Sequence, residues 1–199
     1  MKTFLHVGCG LNNKKHAGPG FRNDNWQEIR LDINPAVKPD IIGSMTDMSA
    51  VNTNSIDAIF SAHNIEHLYP HEVPLALAEF KRVLRDDGFV VITCPDLQSV
   101  AALVANDKLT EPAYQSPAGP IAPLDMLYGL RSAMANGNLY MAHRCGFTQR
   151  VLAETLKACG FVQAIVRQRT HCFDLWAFAC KNAQSNAELK AMAQHHFPT

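Results

Sequence analysis

The sequence predicts an α/β fold, a mostly parallel sheet with helices on both faces. Three observations predict it. Short apolar runs alternate with helical patterns through most of the chain. Residues 89–95 (FVVITCP) form a continuous β-branched and aromatic run, as expected of a parallel strand buried on both faces. The first apolar run, residues 3–7, ends at Gly8-Cys9-Gly10, a strand followed by a tight turn.

The elements follow in order. Residues 11–25 (LNNKKHAGPGFRNDN) lack helical periodicity and read as a loop. Residues 26–32 (WQEIRLD) read as a second strand ending on an acid, and 40–43 as a short third strand after Pro35 and Pro39. Residues 46–51 are expected to make one helical turn, and 56–61 a fourth strand. Val73, Leu77, Phe80 and Leu84 recur at helical spacing and predict a helix over 71–84, with Pro74 in its first turn. Asp86-Asp87-Gly88 is expected to end it. Asp96 can cap a helix over 97–105.

Residues 106–146 differ in character, with Pro112, Pro117, Pro120 and Pro123 ahead of a helical patch over 124–135. They read as an insertion that covers something. Thr148 is an N-cap for a helix ending at Gly160, and residues 161–167 and 173–180 read as two strands. Their closeness in sequence predicts that one is antiparallel. Ser185 and Glu188 make a capping box for a tail helix. One domain over residues 1–199 is the expected organisation, with no repeat or boundary.

Composition narrows the function. The chain of 199 residues has 47% hydrophobic and 18% charged residues and no formal net charge. No basic excess points to nucleic acid as a partner. No apolar stretch approaches a membrane span, and the N-terminal run is too short for a signal-peptide core. None of the six cysteines form a C-x-x-C pair. They lie mostly in apolar segments, which fits a reducing compartment, so a cytoplasmic location is expected.

In an open α/β sheet, ligands bind beyond the carboxyl ends of the strands. Gly8 and Gly10 close the first strand and let a ligand lie against the backbone. Asp32 closes the second, 22 positions after Gly10. A carboxylate there is placed to accept hydrogen bonds from both hydroxyls of a ribose. A dinucleotide is disfavoured. Asn13 stands where its motif has a third glycine, and no helix N-terminus follows to receive a pyrophosphate. The fourth strand leads into His63, Glu66, His67 and His71. The order H-x-x-E-H resembles an inverted zinc motif. That motif needs a regular helix, which Pro70 and the strand end interrupt, so no metal is expected.

Taken in order, LHVGCG, EIRLDINP, GSMTDM, SIDAIFSAHNIEHL, EFKRVLRDDGFVVITCPDL and HRCGFTQRVLAETLKACGF resemble the motifs of class I S-adenosylmethionine-dependent methyltransferases. The resemblance covers most of residues 3–180 and is weakest over 106–140. It implies a Rossmann-like seven-stranded sheet with the last strand antiparallel. It implies S-adenosylmethionine as cofactor and S-adenosylhomocysteine as product. Gly8, Cys9 and Gly10 would pass beneath the methionine part, Asp32 would hold the ribose, and Ile33 would pack on adenine. Ser44 and Met45 stand where members touch the adenine, and Ala62 and His63 near the sulfonium and substrate. His6 departs from the acid often found two residues before the first glycine, Asn12 from the third glycine, and Ser44 from a common Asp.

Methyl transfer to a hydroxyl or ammonium benefits from a base. His63 is the first choice, as a neutral imidazole. His143 and Tyr140 could reach the same cleft from the insertion, and His67 and Glu66 are weaker candidates. Met126, Leu127, Tyr128, Met134, Tyr140 and Met141 would form a substrate cover or, equally, fill core or a dimer contact. The expected acceptor is a small molecule and the expected state a monomer or homodimer. The alternatives are a catalytically silent cofactor-binding protein and, less favoured, an NAD-dependent oxidoreductase.

Overall fold

In the computed structural model, which describes residues 1–198, the described residues contain nine strands. They are β1 (Lys2–Val7), β2 (Trp26–Asp32), β3 (Ile41–Ile42), β4 (Ile56–Ala62), β5 (Leu84–Pro95), β6 (Tyr114–Ser116), β7 (Gly119–Ile121), β8 (Gln163–Arg169) and β9 (Asp174–Cys180). Seven form one sheet in the order β3-β2-β1-β4-β5-β9-β8, and β6 and β7 pair apart as a hairpin. The strands β1 to β5 of the sheet run parallel, and β9 is antiparallel to both β5 and β8. The last strand is therefore antiparallel, as expected, and lies inside the sheet with β8 at the edge. Strand order reverses at β1, which sits between β2 and β4. That reversal opens a crevice at the strand tips.

The two faces are covered by different means. Leu5, Val7, Ile59, Val90, Ile92 and Leu175 pack against Leu77 and Phe80 of α1 (Val73–Val83). The helix α2 (Leu97–Ala105) follows β5 under the Asp96 cap. Phe4, Phe60, Val91 and Phe178 point the other way. Period-two alternation of large apolar residues thus fills both faces. On that second face Phe21 of the loop after β1 and Trp26 at the start of β2 stand where a helix could have packed.

Three helices complete the chain up to the last strands. They are α3 (Pro123–Tyr128), α4 (Arg131–Ala135) and α5 (Gln149–Ala158), the last capped by Thr148 and packed by Leu152 and Leu156 on the α1 face. The tail helix α6 (Asn186–His196) begins at the Ser185–Glu188 capping box and lays Leu189 and Ala193 on the second face.

Three expectations need correction. The first helix ends at Val83, and residues 84–88 already belong to β5. The Asp-Asp-Gly segment accommodates an irregularity in the register with β4, where Leu84 pairs with Ile56 but Phe89 with Ala58. Residues 46–51 form turns, with Val51 N donating to Met48 O, and no helix. The helical patch over 124–135 is two helices, split at Gly129. Its φ of 99° and the carbonyl of Met141 beside it leave no room for a side chain.

Residues 106–146 build a small cluster of their own. Val100 of α2, Ile121 and Met126 form its centre, with Leu103, Tyr114, Leu130 and Phe173 around them. No helix among the described residues is long and apolar enough to cross a membrane.

Candidate active site

β1 leads into Gly8 and Gly10, whose φ angles of 62° and 53° are left-handed. A Cβ on Gly8 would collide with the Asn64 amide, which donates to Val7 O at 3.0 Å and Ala62 O at 2.8 Å. Asn64 thereby ties the tips of β1 and β4 together. A Cβ on Gly10 would meet open space. Asp32 is buried at the tip of β2 and accepts from Gly10 N at 2.7 Å and Asn34 N at 2.8 Å. Each carboxylate oxygen keeps a second lone pair for a ligand.

Sequence reasoning missed how this loop is held without a helix behind it. Arg30 donates to Gly10 O at 2.7 Å, Asn12 O at 3.1 Å and Lys38 O at 3.0 Å. It staples the loops after β1 and β2 to each other. The available signal was a lone arginine two residues before Asp32, in a strand otherwise short of charge at its end.

Gly8, Cys9, Gly10, Asp32, Ile33, Ser44, Met45, Ala62 and His63 all line one cleft of about 420 Å³. Ile33 is 47% exposed and forms an open apolar wall. Ser44 Oγ is 2.7 Å from Thr46 Oγ1, so its hydroxyl is partly engaged within its own turn. Burial pushes the Cys9 thiol up to about 11, so it is a neutral packing group. Tyr140 reaches the cleft from the far side, along with Met141 and Arg144.

At the tip of β4 lies His63, in the left-handed region at φ 54°. A non-glycine residue in that region marks a site held by its surroundings. Its Nδ1 is 3.4 Å from Glu66 Oε1 and its Nε2 is 3.9 Å from Asp174 Oδ2. Asp174 is itself paired with Arg169, whose Nε lies 2.9 Å from Oδ1. Glu66 follows in a 3-10 turn, Ile65–His67, and is 1% exposed. Neither of its carboxylate oxygens has a hydrogen-bond partner. His143 Nδ1 is 2.8 Å from Met126 O.

The charges here are interdependent. Burial opposes the imidazolium of His63, but the Glu66 carboxylate and then Asp174 outweigh it and hold the pKa above its ordinary value. Burial likewise opposes the Glu66 carboxylate, and His63, His67 and His143 around it outweigh that and hold its pKa below the usual range. Burial lowers the pKa of His143, with Glu66 pulling the other way.

Two smaller cavities flank Glu66. One of about 160 Å³ is lined by His63, Tyr114, Met126, His143 and Phe173 among others, and touches the large cleft through His63, His67 and Met141. The other, of about 220 Å³, lies between Leu97, Tyr128 and Gly146. His63 thus stands between the large cleft and the first small cavity. Tyr140 lines only the former and His143 only the smaller pair, so they do not share one space. His71 sits in the turn before α1, stacked on Tyr69.

Residues 5–92 match the family model described as a methyltransferase domain. Among solved structures, a Burkholderia thailandensis 1,6-didemethyltoxoflavin-N1-methyltransferase, solved with its substrate and S-adenosylhomocysteine, is 16% identical at a TM-score of 0.56. The match covers 91% of this chain and 71% of that one. An S-adenosylmethionine-dependent methyltransferase from Thermotoga maritima is 11% identical, covering 92% and 83%, at a TM-score of 0.57. The citrinin polyketide synthase CMeT domain is 10% identical at a TM-score of 0.55, covering 92% of this chain but 47% of its own. No curated protein sequence matches significantly. The architecture is the Rossmann-like methyltransferase fold. The methyltransferase-domain match takes in residues 5–92, and the likeness to solved methyltransferases extends the same fold over the rest of the sheet.

Proposed function

We propose that this chain transfers a methyl group from S-adenosylmethionine, held in the large cleft, to a small-molecule acceptor held in the cavity beside it. One observation carries the reading: a cofactor-sized cleft and a smaller cavity under residues 106–146 meet at His63. A cleft of about 420 Å³ lies within the range of small-ligand sites, about 300–1,000 Å³.

The donor set suits a nucleoside without phosphate. Asp32 offers lone pairs to a diol, Ile33 an apolar face to a base, and the open backbone at Gly10 a floor without side chains. The turn after Gly10 leads into a three-residue 3-10 segment, Lys14–His16, and not into a helix N-terminus that would receive a pyrophosphate. This disfavours NAD.

The cofactor supplies a methyl on a sulfonium whose leaving group is a neutral thioether, so no acid is needed to release it. The chain's work is alignment of the acceptor's nucleophilic atom with that methyl. His63 is positioned to hold the acceptor and take its proton, with Glu66 behind the imidazole. Tyr114 and Phe173, stacked at 6.2 Å, give the acceptor cavity an apolar wall. Residues 106–146 cover it and keep water out. Tyr140 closes the cofactor side, and His143 faces the acceptor from the cover.

Calorimetry with S-adenosylmethionine, S-adenosylhomocysteine and NAD tests the cofactor. The expected result is saturable binding of the first two alone, weakened at least tenfold in Asp32→Ala. Absence of binding at about millimolar ligand, where affinities near −4 kcal/mol still register, would overturn the reading. With an acceptor in hand from a screen of amines, phenols and sugars, His63→Ala should lower kcat about 10²-fold or more. Unchanged turnover would remove His63 from the chemistry.

A further inference from the structure

Glu66 is the most conspicuous polar group in the molecule. It is 1% exposed, and both of its carboxylate oxygens lack a hydrogen-bond donor. A buried ionised carboxylate is stable only with a compensating cation or donor. What surrounds it are imidazoles. One ligand atom each from Glu66, His67 and His143 lie within 4.8 Å of one another.

The three come from two parts of the chain, and the backbone clamps those parts together. Arg144 N and Cys145 N donate to Glu66 O at 2.8 and 3.2 Å. With Met126 O at 2.8 Å from its Nδ1, His143 keeps the proton there and leaves Nε2 as a lone pair. A carbonyl behind a histidine in this way fixes the tautomer of a ligand. His67 carries the second argument. Its Nδ1 is 3.1 Å from Ala142 O and its Nε2 is 3.1 Å from His63 O. A neutral imidazole has a single N–H, so one ring nitrogen turns a lone pair toward a carbonyl oxygen. That nitrogen carries the lone pair a metal ion would take once the ring turns it away from the carbonyl.

We propose that Glu66, His67 and His143 bind a divalent first-row metal ion of the zinc type. Two imidazoles and one carboxylate suit zinc, iron or nickel better than magnesium or calcium, which prefer oxygen. Zinc bonds of about 2.0–2.1 Å place tetrahedral ligand atoms about 3.4 Å apart, so the group closes by side-chain shifts of about 1 Å. Three protein ligands leave a coordination position open. It faces the small cavity lined by Tyr114 and Phe173, where a donor atom of a bound molecule could complete the shell. The H-x-x-E-H order concealed this arrangement, because His143, 76 positions beyond His67, supplies the third ligand where a helix would have used His63. The site shares Glu66, His143 and this cavity with the methyl-transfer reading but needs no methyl donor to be tested.

The test uses the full chain, stripped with chelator and titrated with Zn²⁺ by calorimetry. One ion should bind per chain at micromolar affinity or tighter and raise the Tm. Glu66→Gln and His143→Ala should each weaken binding at least tenfold, with far-UV circular dichroism and cooperative melting confirming that both variants fold. Co²⁺ in place of zinc should give a visible spectrum without a thiolate charge-transfer band. No saturable binding would leave the His63 imidazole, 3.4 Å from Glu66 Oε1, as the group that compensates the carboxylate, and would overturn the proposal. So would binding unaffected by either substitution, or a thiolate band, which would put the ion on cysteine. Cofactor binding plays no part in these readouts, so failure here and failure of the methyl-transfer reading are separate results.

Discussion

His196 is a titratable group with no place for a second proton. Its Nδ1 meets Met192 O at 2.8 Å, its Nε2 has no partner, and its ring packs 4.8 Å from those of Phe21 and Phe89. Burial pushes its pKa down to about 4. The unfolded chain takes up that proton near pH 6.5, so unfolding is favoured between the two values. The neutral form's contribution is whole above pH 6.5 and is lost as pH falls through 4, to a limit of about 3 kcal/mol. Melting followed from pH 7.5 to 4.5 should therefore fall more steeply in the parent than in His196→Leu, and parallel curves would refute the assignment. Gly20 tests the same packing from outside, since a Cβ there would lie 2.7 Å from Nε2. Gly20→Ala should cost about 1–3 kcal/mol by overpacking, seen as a lower denaturation midpoint. At this scale the sequence disclosed residues that close strands, such as Asp32 and His63. It did not disclose Arg30 or His196, and it marked Glu66 only as a weaker base, because their roles depend on groups brought near by the tertiary fold.

Asp96 joins two elements. It follows β5 and caps α2, accepting from Gln98 N at 3.2 Å, and its carboxylate also takes Ser99 Oγ and Gln168 Nε2. Since α2 carries Val100 into the cluster of residues 106–146, loosening its first turn should loosen that cluster as well. Asp96→Ala should cost about 2 kcal/mol, a lost cap with buried donors left unpaired. Hydrogen exchange should quicken across α2 and α3 before it does across β1 and β4; uniform quickening would count against this coupling. Elements with local chemical signals read well from sequence: Asp96, Thr148 and Ser185 each begin the helix they were expected to begin. Elements decided by neighbours read poorly. Leu84 completes the apolar helical pattern of α1, yet it is drawn into β5 by pairing with Ile56. The patch over 124–135 has helical periodicity throughout, and the approach of Met141 O to Gly129 breaks it.

At the scale of the molecule, the two faces of the sheet rest on different kinds of support, a difference that periodicity could not announce. The α1 face has helices from within the alternating pattern. The other face depends on the loop after β1 and on α6, which follows the last strand. Strand alternation shows that Phe4, Phe60 and Phe178 share a face, but not what covers them. The large cleft lies at the strand tips, whereas Leu189, Ala193 and Phe197 press on Phe21, Trp26, Phe89 and Phe178. Removing residues 185–199 takes three buried apolar side chains off this surface, worth about 5 kcal/mol by area. It also releases Gly20 and Phe21 from His196, so the loop between β1 and β2 loses its seat. That sum approaches the whole stability of a typical domain, about 5–15 kcal/mol. The truncated chain should bind the dye ANS, melt at least 10 °C lower than the parent (about 2–4 °C per kcal/mol for this size) or aggregate on expression. A soluble truncated chain with an unchanged Tm would show that the loop after β1 covers the face unaided and that α6 adds nothing to the fold.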